Sequence, residues 1–174
     1  CMIGTGYVGL VSGTCFADIG HQVYCVDKDL SKINQLNSGI SPIYEPGLDE
    51  LIKKNHKAKR LYFTSDLKKA ITVSDIIFIC VGTPNIKGSL KVDLSFVFKC
   101  TKEILAITKK KKIIVTKSTV PIGTGDQIEN IIKKKKKLFS VISNPEFLRE
   151  GEAIRDFRYP DRIIIGSNSK NEFK

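Results

Sequence analysis

The chain has 174 residues, of which 41% are hydrophobic, and it carries a formal net charge of +11. This length favours one globular domain with a substantial core, and no apolar run approaches the roughly 18 residues that a membrane span needs. Lysine supplies most of the charge, with 24 Lys against 5 Arg, and that bias without interleaved aromatic residues argues against a surface that reads nucleic-acid bases.

A glycine-rich motif, Gly4-Thr5-Gly6-Tyr7-Val8-Gly9, follows the short apolar stretch 1–3. A predicted helix comes next, and then the apolar segment 23–26 ends in Asp27. Such a spacing is typical of dinucleotide-binding proteins, in which the helix N-terminus holds a pyrophosphate. Asp27 would accept hydrogen bonds from the adenosine ribose and repel a 2′-phosphate, which favours NAD over NADP. The alternative is a glycine-rich turn in another kind of α/β protein.

Apolar and amphipathic segments alternate along the whole chain. The pattern predicts strands at 1–3, 22–26, 61–64, 76–81, 113–117, 138–142 and 162–165. It predicts helices at 7–19, 30–37, 48–55, 67–71, 94–107 and 125–134. Continuous apolar strands are expected when helices cover both faces of a sheet. The predicted fold is therefore α/β, with a Rossmann-like, doubly wound and mostly parallel sheet.

Four polar turns follow predicted strands, at 4–9, 81–84, 118–121 and 143–146. In an open α/β sheet, ligands bind beyond the carboxyl ends of the strands. We therefore expect these turns to gather at one edge of the sheet, although each one taken singly has the composition of an ordinary turn.

Two lysine runs, 109–112 and 133–137, lie where a predicted helix ends and the next strand begins. Cations at that position complement the helix C-terminal dipole. We expect both runs to be solvated, with no nucleic-acid partner, while a basic nucleic-acid-binding protein remains an alternative.

Five cysteines are spread along the chain without a Cys-x-x-Cys pair. Cys25 and Cys80 fall in predicted buried strands, where a free cysteine behaves as a small hydrophobe. An odd count without paired spacing is typical of a reducing compartment, so we expect a cytoplasmic protein with structural cysteines. His21 and His56 are too few and too isolated to predict a metal site.

Several segments together give the chain a resemblance to the UDP-glucose 6-dehydrogenase family. They occur in the family's order at 4–10, 41–48 (Ser-Pro-Ile-Tyr-Glu-Pro-Gly-Leu), 81–84, 117–124 (Lys-Ser-Thr-Val-Pro-Ile-Gly-Thr) and 144–151 (Asn-Pro-Glu-Phe-Leu-Arg-Glu-Gly). Sister enzymes that act on GDP-mannose or UDP-N-acetylmannosamine look similar here. Tyr44 and the sequence 121–123 look more like the UDP-glucose branch.

The resemblance implies oxidation of the C6 alcohol of UDP-glucose to a carboxylate with two NAD molecules, in support of UDP-glucuronate and polysaccharide biosynthesis. The residues that look like NAD contacts are Gly4, Gly6, Tyr7, Val8, Gly9, Asp27, Lys32, Thr83, Ser118, Thr119, Val120 and Glu150. Those that look like the near wall of the sugar-nucleotide site are Glu146, Phe147, Leu148, Arg149 and Glu150. Thr119 and Glu146 resemble the catalytic groups that hold and deprotonate water. The alternatives are a surface carboxylate for Glu146, a helix N-cap for Thr119 and a solvated helix residue for Lys32.

Enzymes of this family also have a central dimerising helix and a second domain with the catalytic cysteine. No cysteine of this chain has the sequence context of that nucleophile, so we expect residues 1–174 to be the NAD-binding domain, inactive alone, of a homo-oligomeric enzyme. A stand-alone, non-catalytic NAD-binding module is the alternative from another functional class.

Overall fold

Six parallel strands form one sheet in the computed structural model, which describes residues 1–89 and 91–168. The strands are β1 (Met2–Ile3), β2 (Val23–Val26), β3 (Leu61–Thr64), β4 (Ile76–Ile79), β5 (Lys112–Thr116) and β6 (Phe139–Ser143). Their order in the sheet is β3-β2-β1-β4-β5-β6. This arrangement confirms the predicted Rossmann-like, doubly wound sheet.

Helices connect the strands and cover both faces of the sheet. They are α1 (Tyr7–Asp18), α2 (Leu30–Asn37), α3 (Leu48–Lys57), α4 (Leu67–Val73), α5 (Ser95–Ile107), α6 (Thr124–Ile132) and α7 (Ala153–Arg158), with a 3₁₀ turn at Lys133–Leu138. One core lies between the sheet and α1, α2, α3 and α7. The second lies between the sheet and α4, α5 and α6. Neighbouring residues of β1 belong to different cores, since successive side chains of a strand point to opposite faces.

The predicted strand at 162–165 is wrong. Residues 162–165 are not a strand, and the next residue, Gly166, forms an isolated antiparallel bridge with Ser143 of β6. Ile163, Ile164 and Ile165 are all exposed. A β-branched run needs a partner ladder before its strand propensity takes effect, and this one has a single bridge.

The prediction that both lysine runs are solvated is wrong for Lys112. This residue begins β5 and is buried, and its ammonium donates hydrogen bonds to Ser74 O and, at 3.2 Å, to Thr72 O. These carbonyls lie at the C-terminal end of α4, where a cation compensates the helix dipole. Lysines 109–111 and 133–137 are exposed.

Within the described ranges, no helix is both long and apolar enough to span a lipid bilayer.

Candidate functional site

Four polar loops meet at the carboxyl edge of the sheet, as the sequence predicts. They follow β1, β4, β5 and β6, which are consecutive neighbours in the sheet. The strand order reverses between β1 and β4, because β1 pairs with β2 on one side and with β4 on the other. Crevices at such a reversal are where open α/β sheets bind ligands.

The glycine loop turns tightly between β1 and α1. Gly4 has φ +105°, and a Cβ there would lie 2.6 Å from Cys80 O. A Cβ on Gly9 would lie only 2.0 Å from Gly4 O. At Gly6, by contrast, a Cβ would meet nothing within 4 Å, and this residue is the N-cap of α1, with no side-chain hydrogen bond to the first turn. Because the first N–H groups of a helix lack intrahelical partners, the open space over Gly6 suits an anion such as a pyrophosphate.

Asp27 lies directly after β2 and is tied to the glycine loop. Its Oδ2 accepts hydrogen bonds from Thr5 N at 2.9 Å and from Thr5 Oγ1 at 2.7 Å, while Oδ1 accepts from Asp29 N at 3.1 Å. Burial alone would raise the pKa of Asp27, but these hydrogen bonds and the nearby charge of Lys32 hold it below its ordinary value. The carboxylate therefore stays ionised and can accept further bonds from a ribose.

The loops after β4 and β5 are joined by side chains that the sequence singles out. Thr83 Oγ1 donates to Thr119 O at 2.8 Å, and the buried Ser118 hydroxyl lies 2.7 Å from Val81 O. Ser118 thus fixes the two strand ends against each other. Helix α6 begins at Thr124 with Gly123 as its N-cap, so the alternative of Thr119 as a helix cap does not hold. Val120 follows, half-buried.

Glu146 lies near a buried lysine at the ends of β5 and β6. Lys117 is 7% exposed, and its Nζ donates to Asn144 Oδ1 at 3.1 Å. Burial lowers the pKa of Lys117, and the nearby carboxylate of Glu146 opposes that shift. Glu146 is half-buried, and its Oε2 accepts the N–H of Leu148 at 2.7 Å. Sequence reasoning gave no role to Lys117 or Asn144, although both lie in the segments that carry the resemblance.

Four of the five residues predicted to contact a sugar nucleotide line an apolar cavity of about 780 Å³, and the fifth, Glu150, is not part of its lining. Glu146, Phe147, Leu148 and Arg149 border it together with Lys117. Phe147 is half-exposed under the guanidinium of Arg162, at 5.3 Å from its ring centre. A cavity of this size, apolar with a few convergent polar groups, has the character of a ligand site.

Arg149 is engaged within the chain. Its guanidinium forms two hydrogen bonds with Asp156 of α7, Nε–Oδ2 at 3.0 Å and Nη2–Oδ1 at 2.6 Å. The guanidinium of Arg149 lowers the pKa of Asp156 to about 2. Sequence reasoning missed both Asp156 and α7, so the pairing that orients Arg149 was not predicted.

Tyr7 connects the first turn of α1 to the turn that contains Glu150. Its hydroxyl donates to the carboxylate of Glu45 and accepts from Gly151 N at 2.8 Å. Burial, and next the hydrogen bond to Glu45, raise the pKa of Tyr7 to about 12. The remaining predicted cofactor contacts, Val8 in the first turn of α1 and Lys32 in the first turn of α2, are half-buried.

All five cysteines are free and buried. Burial raises the pKa of Cys15, Cys25 and Cys80 to about 12, and that of Cys100 to about 11. Because the thiolate is the nucleophilic form, these four thiols are inert at neutral pH.

The sequence model described as the UDP-glucose/GDP-mannose dehydrogenase family, NAD binding domain, matches residues 1–174. The chain belongs to this family. It is accordingly a NAD-binding domain with a Rossmann-like sheet, and NAD is its cofactor.

Curated relatives in the family carry the name UDP-glucose 6-dehydrogenase. The protein from Rhizobium meliloti is 56% identical over 167 residues, which cover 95% of this chain and 38% of the relative. A Bacillus subtilis relative is 53% identical, with coverage of 97% and 37%. The chain thus spans well under half the length of the curated relatives that it matches.

Solved structures agree on the fold. A UDP-glucose dehydrogenase from Pyrobaculum islandicum superposes with a TM-score of 0.90 at 37% identity, over 97% of this chain and 40% of that one. A ternary complex of GDP-mannose dehydrogenase from Pseudomonas aeruginosa gives 0.89 at 40% identity, over 97% and 41%.

Proposed function

We propose that the chain is the cofactor-binding part of an enzyme that oxidises the C6 alcohol of UDP-glucose to a carboxylate. The observation that carries this proposal is the register of β5 and β6, in which Thr116 pairs with Ser143. Thr119 lies three residues after Thr116, and Glu146 lies three residues after Ser143. A hydroxyl and a carboxylate therefore follow the ends of two adjacent strands. These ends lie beside the edge where the glycine loop opens.

In this proposal the glycine loop and Asp27 hold the cofactor. The N–H groups at the start of α1 bind the pyrophosphate over Gly6, and Asp27 accepts hydrogen bonds from the adenosine ribose. Thr83, Ser118, Thr119 and Val120 contact the nicotinamide half from the neighbouring strand ends. Lys32, in the first turn of α2, and Glu150, in the turn before α7, are further cofactor contacts. Two NAD molecules would accept the two hydrides that leave the C6 carbon as the alcohol becomes a carboxylate.

Thr119 and Glu146 serve the hydrolytic part of the reaction. Release of an acyl group from an enzyme requires a water molecule that is held near the carbonyl carbon and loses a proton. The Thr119 hydroxyl holds this water, and the Glu146 carboxylate accepts its proton. The buried ammonium of Lys117 stabilises Glu146 as an anion before the transfer.

Phe147, Leu148, Arg149 and Glu150 form the near wall of the sugar-nucleotide site. Identities above 50% to UDP-glucose 6-dehydrogenases support UDP-glucose over the related GDP-mannose and UDP-N-acetylmannosamine. Free, buried cysteines support a reducing, cytoplasmic location. We propose that the complete enzyme is a homo-oligomer, with no nucleic-acid or membrane partner.

The test compares residues 1–174 with the complete enzyme. Residues 1–174 should bind NAD but give no sustained NADH formation with UDP-glucose, because the buried cysteines offer no thiolate. The complete enzyme should turn over UDP-glucose faster than GDP-mannose or UDP-N-acetylmannosamine. Preference for another nucleotide sugar would reassign the substrate. Turnover by residues 1–174 alone would contradict the proposal that this part binds the cofactor but is inactive alone. A complete protein that binds NAD without turnover would favour the non-catalytic module.

A further inference from the structure

A buried carboxylate lies outside the four strand-end loops. Glu45 belongs to the segment 41–48, between α2 and α3, and is only 6% exposed. A charge in that environment is costly unless it is well hydrogen-bonded. Nothing in the chemistry proposed above uses this residue, so its burial calls for another explanation.

Glu45 accepts hydrogen bonds from three donors in two distant parts of the chain, Tyr7 on one side and Gly151 and Ile154 on the other. Oε2 accepts from the Tyr7 hydroxyl and, at 2.8 Å, from Gly151 N. Oε1 accepts from Ile154 N at 3.3 Å. The Gly151 N also lies 2.8 Å from the Tyr7 hydroxyl oxygen. The Tyr7 hydroxyl, Gly151 N and Glu45 Oε2 therefore form a closed triangle of hydrogen bonds.

The triangle joins two parts of the candidate site. Tyr7 is the first residue of α1, directly after the loop that receives the pyrophosphate. Gly151 directly follows Glu150 and the Asn144–Arg149 stretch that borders the cavity. Glu45 is not among the residues that line the cavity, so it acts through its partners Tyr7, Gly151 and Ile154.

The two oxygens of the Glu45 carboxylate satisfy all of these donors. Both of its oxygens are acceptors, whereas a glutamine would place an N–H₂ group against either Ile154 N–H or the pair formed by Tyr7 and Gly151. Against Ile154 or Gly151 the amide N–H₂ would face a backbone N–H, and a buried donor that loses its acceptor is destabilising. Glu45→Gln therefore disrupts the hydrogen bonds at one of the two carboxylate oxygens. It creates no cavity, because the two side chains have nearly the same size.

We propose that Glu45 is a positioning residue that couples the cofactor loop to the 149–154 turn. The hydrogen-bonded triangle holds Tyr7 and Glu150 at a fixed separation. NAD bound at the glycine loop therefore also orders residues 149–154, beside the sugar-nucleotide cavity. This inference rests on the proposed roles of Tyr7 and Glu150 as cofactor contacts.

The first test is a double-mutant cycle on NAD affinity. Glu45→Gln and Tyr7→Phe should each weaken NAD binding about tenfold, and the double variant should lose much less than the product of the two losses. Tyr62→Phe is the matched control, since that hydroxyl donates to Lys59 O at 2.7 Å outside the site. Glu50→Gln, an exposed position of α3, controls for the loss of one charge. Both controls should bind NAD as the unaltered chain does.

The second test is amide hydrogen exchange with saturating NAD, which separates positioning from folding. In the unaltered chain NAD should slow exchange both in the glycine loop and in residues 149–154. In Glu45→Gln the glycine loop should still be protected and residues 149–154 should not. If Glu45→Gln does not fold, Tyr7→Phe answers the question, because it leaves Glu45 bonded to both backbone N–H groups.

The outcomes separate this inference from the proposed function. If the unaltered chain does not bind NAD, the proposed function fails and this inference fails with it. If the unaltered chain binds NAD but the variants bind equally well, or if their losses multiply and the protection of 149–154 persists, only the coupling role of Glu45 is overturned.

Discussion

Replacement of Asp27 by asparagine should reduce the preference for NAD over NADP. The side chain keeps its size but loses the charge that favours a ribose diol and disfavours a 2′-phosphate. A hydrogen bond to a charged group contributes about 1.5–3 kcal/mol, which corresponds to roughly 10- to 150-fold in affinity. NAD should therefore bind about 10- to 150-fold more weakly to Asp27→Asn, while NADP should bind no worse than before.

The local structure adds a second consequence that has to be measured separately. Asp27 also accepts both hydrogen bonds of Thr5 and the N–H of Asp29, so the substitution weakens the attachment of the glycine loop to β2. Thermal unfolding without cofactor measures this part. Asp66→Asn is a matched control, because Asp66 accepts Lys69 N at the start of α4, away from the glycine loop.

Calorimetric titration with NAD and NADP gives both affinities for each variant. The expected result is a large NAD/NADP ratio for the unaltered chain and for Asp66→Asn, and a much smaller ratio for Asp27→Asn. Equal affinities in the unaltered chain, or an unchanged ratio in Asp27→Asn, would refute the role given to this carboxylate.

Three further predictions follow from the same geometry. Gly6→Ala should keep the thermal midpoint of unfolding and weaken NAD binding at least about tenfold, because the added Cβ enters only the space of the pyrophosphate. Gly9→Ala should instead lower the free energy of unfolding by about 2 kcal/mol or more, because the added Cβ collides with the backbone. In the complete enzyme, Glu146→Gln should leave the first hydride transfer intact and slow product release on the order of 10²–10⁴-fold in rapid-quench kinetics, and slowed oxidation with normal hydrolysis would assign Glu146 another role. The hydrogen bond from Lys54 holds the pKa of Asp18 below its ordinary value. The ionised Asp18 therefore stabilises the fold at pH values above its unfolded pKa of about 3.9, and this stabilisation is lost as the pH falls from there through the lower folded pKa. Asp18→Asn should lower the free energy of unfolding in urea by about 1–2 kcal/mol at neutral pH, and a difference that persists at pH values well below 4 would contradict this assignment.

The sheet was predictable from the sequence because its strands are short apolar runs between clear turn signals. All six strands begin and end within two residues of the predicted bounds, and β3 has the predicted bounds, Leu61–Thr64. The strand-end loops were predictable as a group, since parallel strands bring their carboxyl ends to one edge.

The errors fall where tertiary contacts decide the structure. Helix α7 has only six residues, too few for a helical period, and it is held by the Arg149–Asp156 pair and by Glu45 at Ile154 N. Residues 162–165 have strand propensity but only one bridge to β6 nearby. Lys112 belongs to a charged run, yet its partners lie 40 and 38 residues away in the chain. None of these partners is visible from local spacing.

A crystal structure of residues 1–174 with NAD tests the central claim most directly. The account predicts the pyrophosphate over Gly6, within hydrogen-bond distance of the first N–H groups of α1, and the adenosine ribose against Asp27. A dinucleotide bound elsewhere on the chain, or one whose ribose does not contact Asp27, would contradict the account.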